Sequence, residues 1–285
     1  MFNATSKFNL KSSFAIPATL LIALSAGVFN QIDNMLPPPP APWLEPETIR
    51  VQPRSFTYRA DGEFSKNGLS TDAPLKTVSV TSPLVVMKYQ VTTDEYQRCV
   101  ASGECQVAES RVVDRSYPQT GVNHAEASAY AEWLSKMTGS TWRLPTDQEL
   151  AFAAGSKFPD DALGIETDAK NPAIRWLADY ERESASKRVR VPQVMPTGYF
   201  GTSEYGLADF GGNIWEWTST CHSRTKLGNN SAPLSVEEIC GIYVTVGPHR
   251  SPISDFIRDP KGGGCSVGTP PDNLGFRLVK SDPLA

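Results

Sequence analysis

Three helix starts stand out in this chain, and each has a stop close behind it. Thr92-Thr93-Asp94-Glu95 is a capping box, opening a helix that Gly103 closes. Asn123-His124-Ala125-Glu126 opens a second, with Ala127, Tyr130, Ala131 and Leu134 on one face and Gly139 as the stop. Thr146-Asp147-Gln148-Glu149 opens a third directly after Pro145, and Gly155 ends it. Helices this short cannot form a bundle by themselves. A charge-dense stretch, 173–186, has Ile174, Leu177 and Tyr180 at helical spacing and reads as a solvated surface helix. The strand candidates are also short: 76–80, 84–87, 242–246 and 276–279. The remainder reads as turn and loop, in keeping with 21 glycines and 23 prolines among 285 residues. The expected fold class is α+β.

The N-terminus reads as an export segment. Lys7 and Lys11 precede an apolar run at 14–29 that is short of the ~20 residues of a membrane span. Ala23 and Ser25 suit cleavage after residue 25. Residues 1–25 are therefore expected to be a signal peptide or an uncleaved N-terminal membrane anchor. Residues 26–46 form a proline-rich linker, stiff where LPPPPAPWLEP adopts polyproline geometry. Residues 47–285 are left as the folded domain. The expected location is extracytoplasmic, in the periplasm. Cysteine usage agrees: Cys99 and Cys105 flank a glycine turn, Cys221 and Cys240 flank a polar loop, and two local disulfides are the natural pairing in an oxidising compartment. Other pairings of the five cysteines, and free thiols at the first pair, stay open. A net charge of −4 with no Lys/Arg run argues against nucleic acid as a partner.

Several chemistries lack their residues. There is no G-x-S-x-G elbow, no zinc spacing, no Rossmann glycine pattern and no phosphate loop, and only three histidines occur (His124, His222, His249). Segment 209–217 (DFGGNIWEW) is more informative. Asp209 and Glu216 bracket Gly211 and Gly212, which let the chain curl and aim carbonyls inward, the donor set of a hard cation such as Ca²⁺. The same residues also fit a buried turn, with Asp209 capping backbone amides and Glu216 paired to an arginine. Trp215 and Trp217 share a face if the segment is extended, as core residues or as the lining of a peptide groove.

Taken in order, Met87-Lys88-Tyr89-Gln90-Val91-Thr92, Ala127-x-x-Tyr130-x-x-Trp133, Arg143-Leu144-Pro145-Thr146-x-x-Glu149, Gly206-Leu207-x-Asp209-x-x-Gly212-Asn213-x-Trp215-Glu216-Trp217, Gly262-Gly263 and Asn273-Leu274-Gly275-Phe276-Arg277 resemble the formylglycine-generating enzyme (sulfatase-modifying factor) family. The resemblance spans about 55–279. It implies a C-type-lectin-like fold poor in regular structure. It also implies structural calcium on the Asp209 and Glu216 side chains and the Gly212 and Ile214 carbonyls. Finer details resemble an exported branch of the family associated with bacterial nitrite reductases.

The family enzymes oxidise a protein cysteine using Cu(I) held by two thiolates, spaced C-x4-C after Gly-Gly-Ser. Here the stretch is Gly262-Gly263-Gly264-Cys265-Ser266: the serine is replaced by Gly264 and only one cysteine follows. Cys265 is the catalytic candidate by position. It has three readings: an inert buried thiol, a redox or metal-binding thiolate using another ligand, or a partner for Cys240 or Cys221. Two functional expectations follow. One is an exported oxidoreductase of the formylglycine-generating type, acting on a protein or peptide thiol. The other is a catalytically silent module that binds a protein or peptide partner and assists a periplasmic metalloenzyme such as nitrite reductase.

Overall fold

Each of the three capping boxes forms as the sequence dictates. Helix α1 (Thr93–Ala101) is capped by Thr92, α2 (His124–Thr138) by Asn123 and α3 (Asp147–Ala154) by Thr146, and in each the N3 glutamate accepts back from the cap backbone. Gly139 ends α2 in the left-handed conformation, at φ 68°. The computed structural model describes residues 45–110, 114–164, 177–178, 180–181, 193–258 and 273–281. Glu45–Ala285 forms one compact unit. The expected export segment, nearly all of the expected linker, Cys265 and most of the expected 173–186 helix lie outside the described residues. Among the described residues no helix is long and apolar enough to cross a membrane.

Strands are more numerous than the sequence reading allowed. They are β1 (Thr48–Val51), β2 (Arg54–Arg59), β3 (Glu63–Lys66), β4 (Leu69–Thr71), β5 (Leu75–Val80), β6 (Leu84–Met87), β7 (Thr141–Arg143), β8 (Trp215–Leu227), β9 (Pro233–Val246), β10 (Arg250–Ser254), β11 (Leu274–Gly275) and β12 (Val279–Ser281). One sheet runs β1-β6-β12-β7, and a larger one runs β10-β9-β8-β3-β4 with β11 beside β8. β2 pairs with β5 alone.

Two expectations need correction. The polar loop between Cys221 and Cys240 is a hairpin of β8 and β9, in register from His222↔Ile239 to Lys226↔Ser235, with a shift before Leu227↔Pro233. Its side chains are polar because much of it faces water, so it shows no apolar alternation. Residues 276–279 are not a strand: only Val279 is, and 276–278 crosses between the sheets. Their apolar content reflects total burial of Phe276, Arg277, Leu278 and Val279. The crossing backbone is still paired, since Met87 N donates to Leu278 O and Val91 N to Phe276 O, both at 2.9 Å.

The main core gathers Val51, Val86, Leu150, Phe152, Leu207, Phe210, Val244, Val246 and Val279, so α3 joins the two larger sheets. A second packing unit stacks Tyr96 on Tyr130, at 5.7 Å between centroids, with Phe276 edge-on to both. It ties α1 and α2 to the crossing chain.

Candidate functional site

Segment 209–217 lies deep in the domain. Asp209 sits at φ 58° and is fully buried. Its carboxylate accepts from Gly198 N at 2.5 Å and Phe200 N at 2.8 Å. Asn213 exchanges two hydrogen bonds with the Met195 backbone, both 2.9 Å. A side chain at Gly212 would strike the Phe200 ring at 2.8 Å, which accounts for the glycine. These residues hold chain 195–200 in place.

Glu216 answers to a different group. Arg277 Nε donates to its Oε2 at 2.5 Å and Nη2 to Oε1 at 2.7 Å, while Gln90 Nε2 reaches Oε1 at 2.8 Å. Both partners of the ion pair are 0% exposed. Arg277 also donates to the carbonyls of Met87, Lys88 and Ala208. Each carboxylate oxygen of Asp209 and Glu216 therefore already accepts from an N–H group, and a guanidinium shares the Glu216 site. This donor set does not fit a calcium ion, because the groups facing the oxygens are positive or proton-donating. It has the form of the buried turn. Trp217 is fully buried with Nε1 donating to Val122 O, and Trp215 is buried too, so both are core residues.

The chain on either side of the cysteine-bearing stretch 259–272 is anchored. Arg258 reaches back to Glu126, the capping-box carboxylate of α2, through Nε at 2.9 and 3.0 Å and through Nη2, and to Glu109 at 3.0 Å. Asn273 O accepts from Trp215 N at 2.8 Å. Beside Arg258, Asp255 O accepts from His124 N. The His124 ring lies flat on Tyr243, 3.6 Å between centroids and 5° between planes, with Nε2–H donating to Thr218 O. Burial pushes the His124 pKa below its ordinary value. It is a packed neutral imidazole at a helix start.

The other histidines are placed elsewhere. His249 Nδ1 donates to Arg250 O, and its ring lies edge-on to Trp215. His222 is buried with Nδ1 3.4 Å from Asp61 and Nε2 3.7 Å from Glu63. The Asp61 hydrogen bond raises its pKa, against burial, which lowers it. Asp61 N also donates to Asp147, whose carboxyl is raised by burial and by Asp61 and lowered by Arg250. Arg250 in turn pairs with Asp161 at 2.7 Å. These pairs form a closed polar network, and among the described residues no group of three His, Cys, Asp or Glu is placed to hold a metal. The residues sequence reasoning missed here, Asp61, Arg250 and Arg258, carry no local motif. Only the glutamate of Asn-x-x-Glu, Glu126, was marked, and for a different task.

Disulfides join Cys99 to Cys105 and Cys221 to Cys240, the local pairing the spacing favours. They use four of the five cysteines and leave Cys265, outside the described residues, without a second thiol in the chain. A cavity of about 360 Å³ opens between β2 and the end of α3, where the Arg54 guanidinium lies between the Phe152 and Tyr205 rings.

Residues 35–282 match the family described as "Sulfatase-modifying factor enzyme 1-like domain". The chain is similar to the formylglycine-generating enzyme of Mycobacterium tuberculosis H37Rv, 32% identical over 203 residues that cover 62% of each. It is also similar to serine/threonine-protein kinase Pkn1 of Chlamydia trachomatis, 24% identical over 90% of this chain and 44% of that one. It spans less than two thirds of the length of either relative. Among solved structures, PvdO from Pseudomonas aeruginosa shares the fold, with a TM-score of 0.51 at 21% identity over 83% of this chain and 95% of that chain.

Proposed function

The chain belongs to the sulfatase-modifying factor family, and from that premise we propose that it serves as a partner-binding accessory module on the family scaffold, not as a two-thiolate copper oxidase. The observation that carries this reading is the thiol inventory. Four of five cysteines are consumed in disulfides, so a linear Cu(I) site on two thiolates has only Cys265 to draw on. The segment that resembles the catalytic stretch also lacks the serine. The rest of the scaffold is intact: the buried Glu216–Arg277 pair, the three capping boxes and the aromatic unit around Phe276 all form.

Export belongs to the same reading. Two disulfides suit an oxidising compartment, and the basic-then-apolar N-terminus followed by a proline-rich linker suits a tether in the periplasm. The partner class is an extracytoplasmic metalloenzyme, with nitrite reductase the candidate suggested by the resemblance.

An anaerobic Cu(I) competition titration on the full chain, run beside Cys265→Ala, tests the proposal. The expected result is no stoichiometric site that depends on Cys265, and no dioxygen-dependent oxidation of a cysteine peptide. A tight one-to-one site lost in the variant would overturn it in favour of the oxidoreductase.

A further inference from the structure

The hairpin of β8 and β9 is covered unequally. On the β8 side, β3 pairs from Glu63↔Arg224 to Lys66↔Leu227. On the β9 side, β10 pairs only from Ile242 onward. Residues 233–240 of β9 therefore have β8 on one edge and no described strand on the other. All of 233–238 is exposed, including Leu234 at 75% and Val236 at 57%. Val236 lies in register opposite buried Thr225, next in the sheet to Leu227, which packs with Phe64 and Ala73. The apolar stripe on this face thus runs outward to the open edge and ends there in water. An open edge of this length with exposed apolar side chains is a template for another strand.

Its charge selects what can be added. Glu237 and Glu238 are exposed, and neither makes an ion pair with a described residue. Arg224, across from Glu237, donates to Glu63 instead. A second copy pairing edge to edge would bring the glutamate pairs together, which is unfavourable. A strand with basic residues on one face and apolar ones on the other would meet Glu237 on the first and Val236 on the second. The Cys221–Cys240 disulfide closes the base of the arm, so the edge is held in strand form before anything binds.

We propose that 233–240 is a docking edge that takes an extended segment of alternating basic and apolar residues from the partner as an added strand. Main-chain hydrogen bonds supply the attachment, and Glu237 on one face and Val236 on the other supply the selection. This rests on the partner-binding reading above and names the kind of segment recognised.

The test uses the full chain and three acetylated eight-residue peptides: Lys/Val alternating, Lys/Pro alternating, and Glu/Val alternating. Anisotropy reads binding, and amide hydrogen exchange reads its location. The expected result is binding of Lys/Val alone, with slowed exchange in 233–240. Glu237→Lys is expected to weaken it about tenfold and to admit Glu/Val, with the melting temperature unchanged. Equal binding of Lys/Pro, slowed exchange elsewhere, or no binding of Lys/Val would overturn the proposal. So would a concentration-dependent dimer of the free chain that Val236→Lys abolishes. The copper titration reads separately: a chain that binds neither copper nor Lys/Val loses only the edge, and one that binds both keeps the edge and loses the accessory reading.

Discussion

Arg277 shows how one residue can hold several distant segments. Its guanidinium donates to Glu216, to the carbonyls of Met87 and Lys88 and to Ala208 O, all without access to water. Lysine cannot replace that planar fork. Glu216→Ala would leave the cation buried and unpaired, so stability should fall by about 3–5 kcal/mol in urea unfolding, and Arg277→Lys should also be destabilising. The same geometry predicts that adding or chelating Ca²⁺ leaves the melting temperature of the wild type unmoved; a rise of several degrees with Ca²⁺ would mean that segment 209–217 rearranges to bind it. His222 gives a pH dependence. Its folded pKa is raised by Asp61, so the stabilisation is fully present below the unfolded value near 6.5. It is lost as pH rises through the folded pKa. Melting of the wild type should weaken from pH 6 to 8 by on the order of 1 kcal/mol more than that of His222→Ala.

At the level of elements, the RLPT-x-x-E motif is a clamp. Arg143 on β7 grips Glu149 through two bonds, at 2.6 and 2.7 Å, while that carboxylate also accepts from Thr146 N. Burial would raise the Glu149 pKa, but the arginine and threonine bonds outweigh it and hold it below the ordinary range. Thr146→Ala is therefore expected to cost about 1 kcal/mol, measured by denaturant unfolding. Such helix ends were legible because cap, glutamate and closing glycine lie within one local stretch. The strands were not. β2 presents Ser55 and Thr57 to Ser79 and Thr77 of β5, a hydroxyl ladder that looks like loop composition in one dimension. The β8–β9 arm hides in the same way behind His222, Ser223, Arg224 and Glu237. For the site, the sequence located segment 209–217 but could not choose its role. What decides the role comes from far away, with Gln90 lying 126 residues and Arg277 61 residues from Glu216.

Across the domain, the sheets are joined through the last described residues. β11 lies parallel to β8 in the larger sheet, and β12 inserts between β6 and β7 in the other. Gly275 sits where a side chain would collide with Gln119 O at 2.2 Å, so the crossing is tight as well as buried. Phe276→Ala at this junction should cost about 3–5 kcal/mol, read from urea midpoints, because its packing ties α1 and α2 to the crossing.

A ribosome delivers this chain from its N-terminus, and β6 and β7 wait for β12, which is made long after either of them. The first sheet can be only a β1–β6 pair until then, because its central strand has not yet been made. A nascent chain cut before residue 274 would have α1 to α3 and β1 to β10 but nothing to join the two larger sheets, and would be left to proteases. The fold thus reports on its own completion: only a chain translated past β12 becomes resistant to digestion.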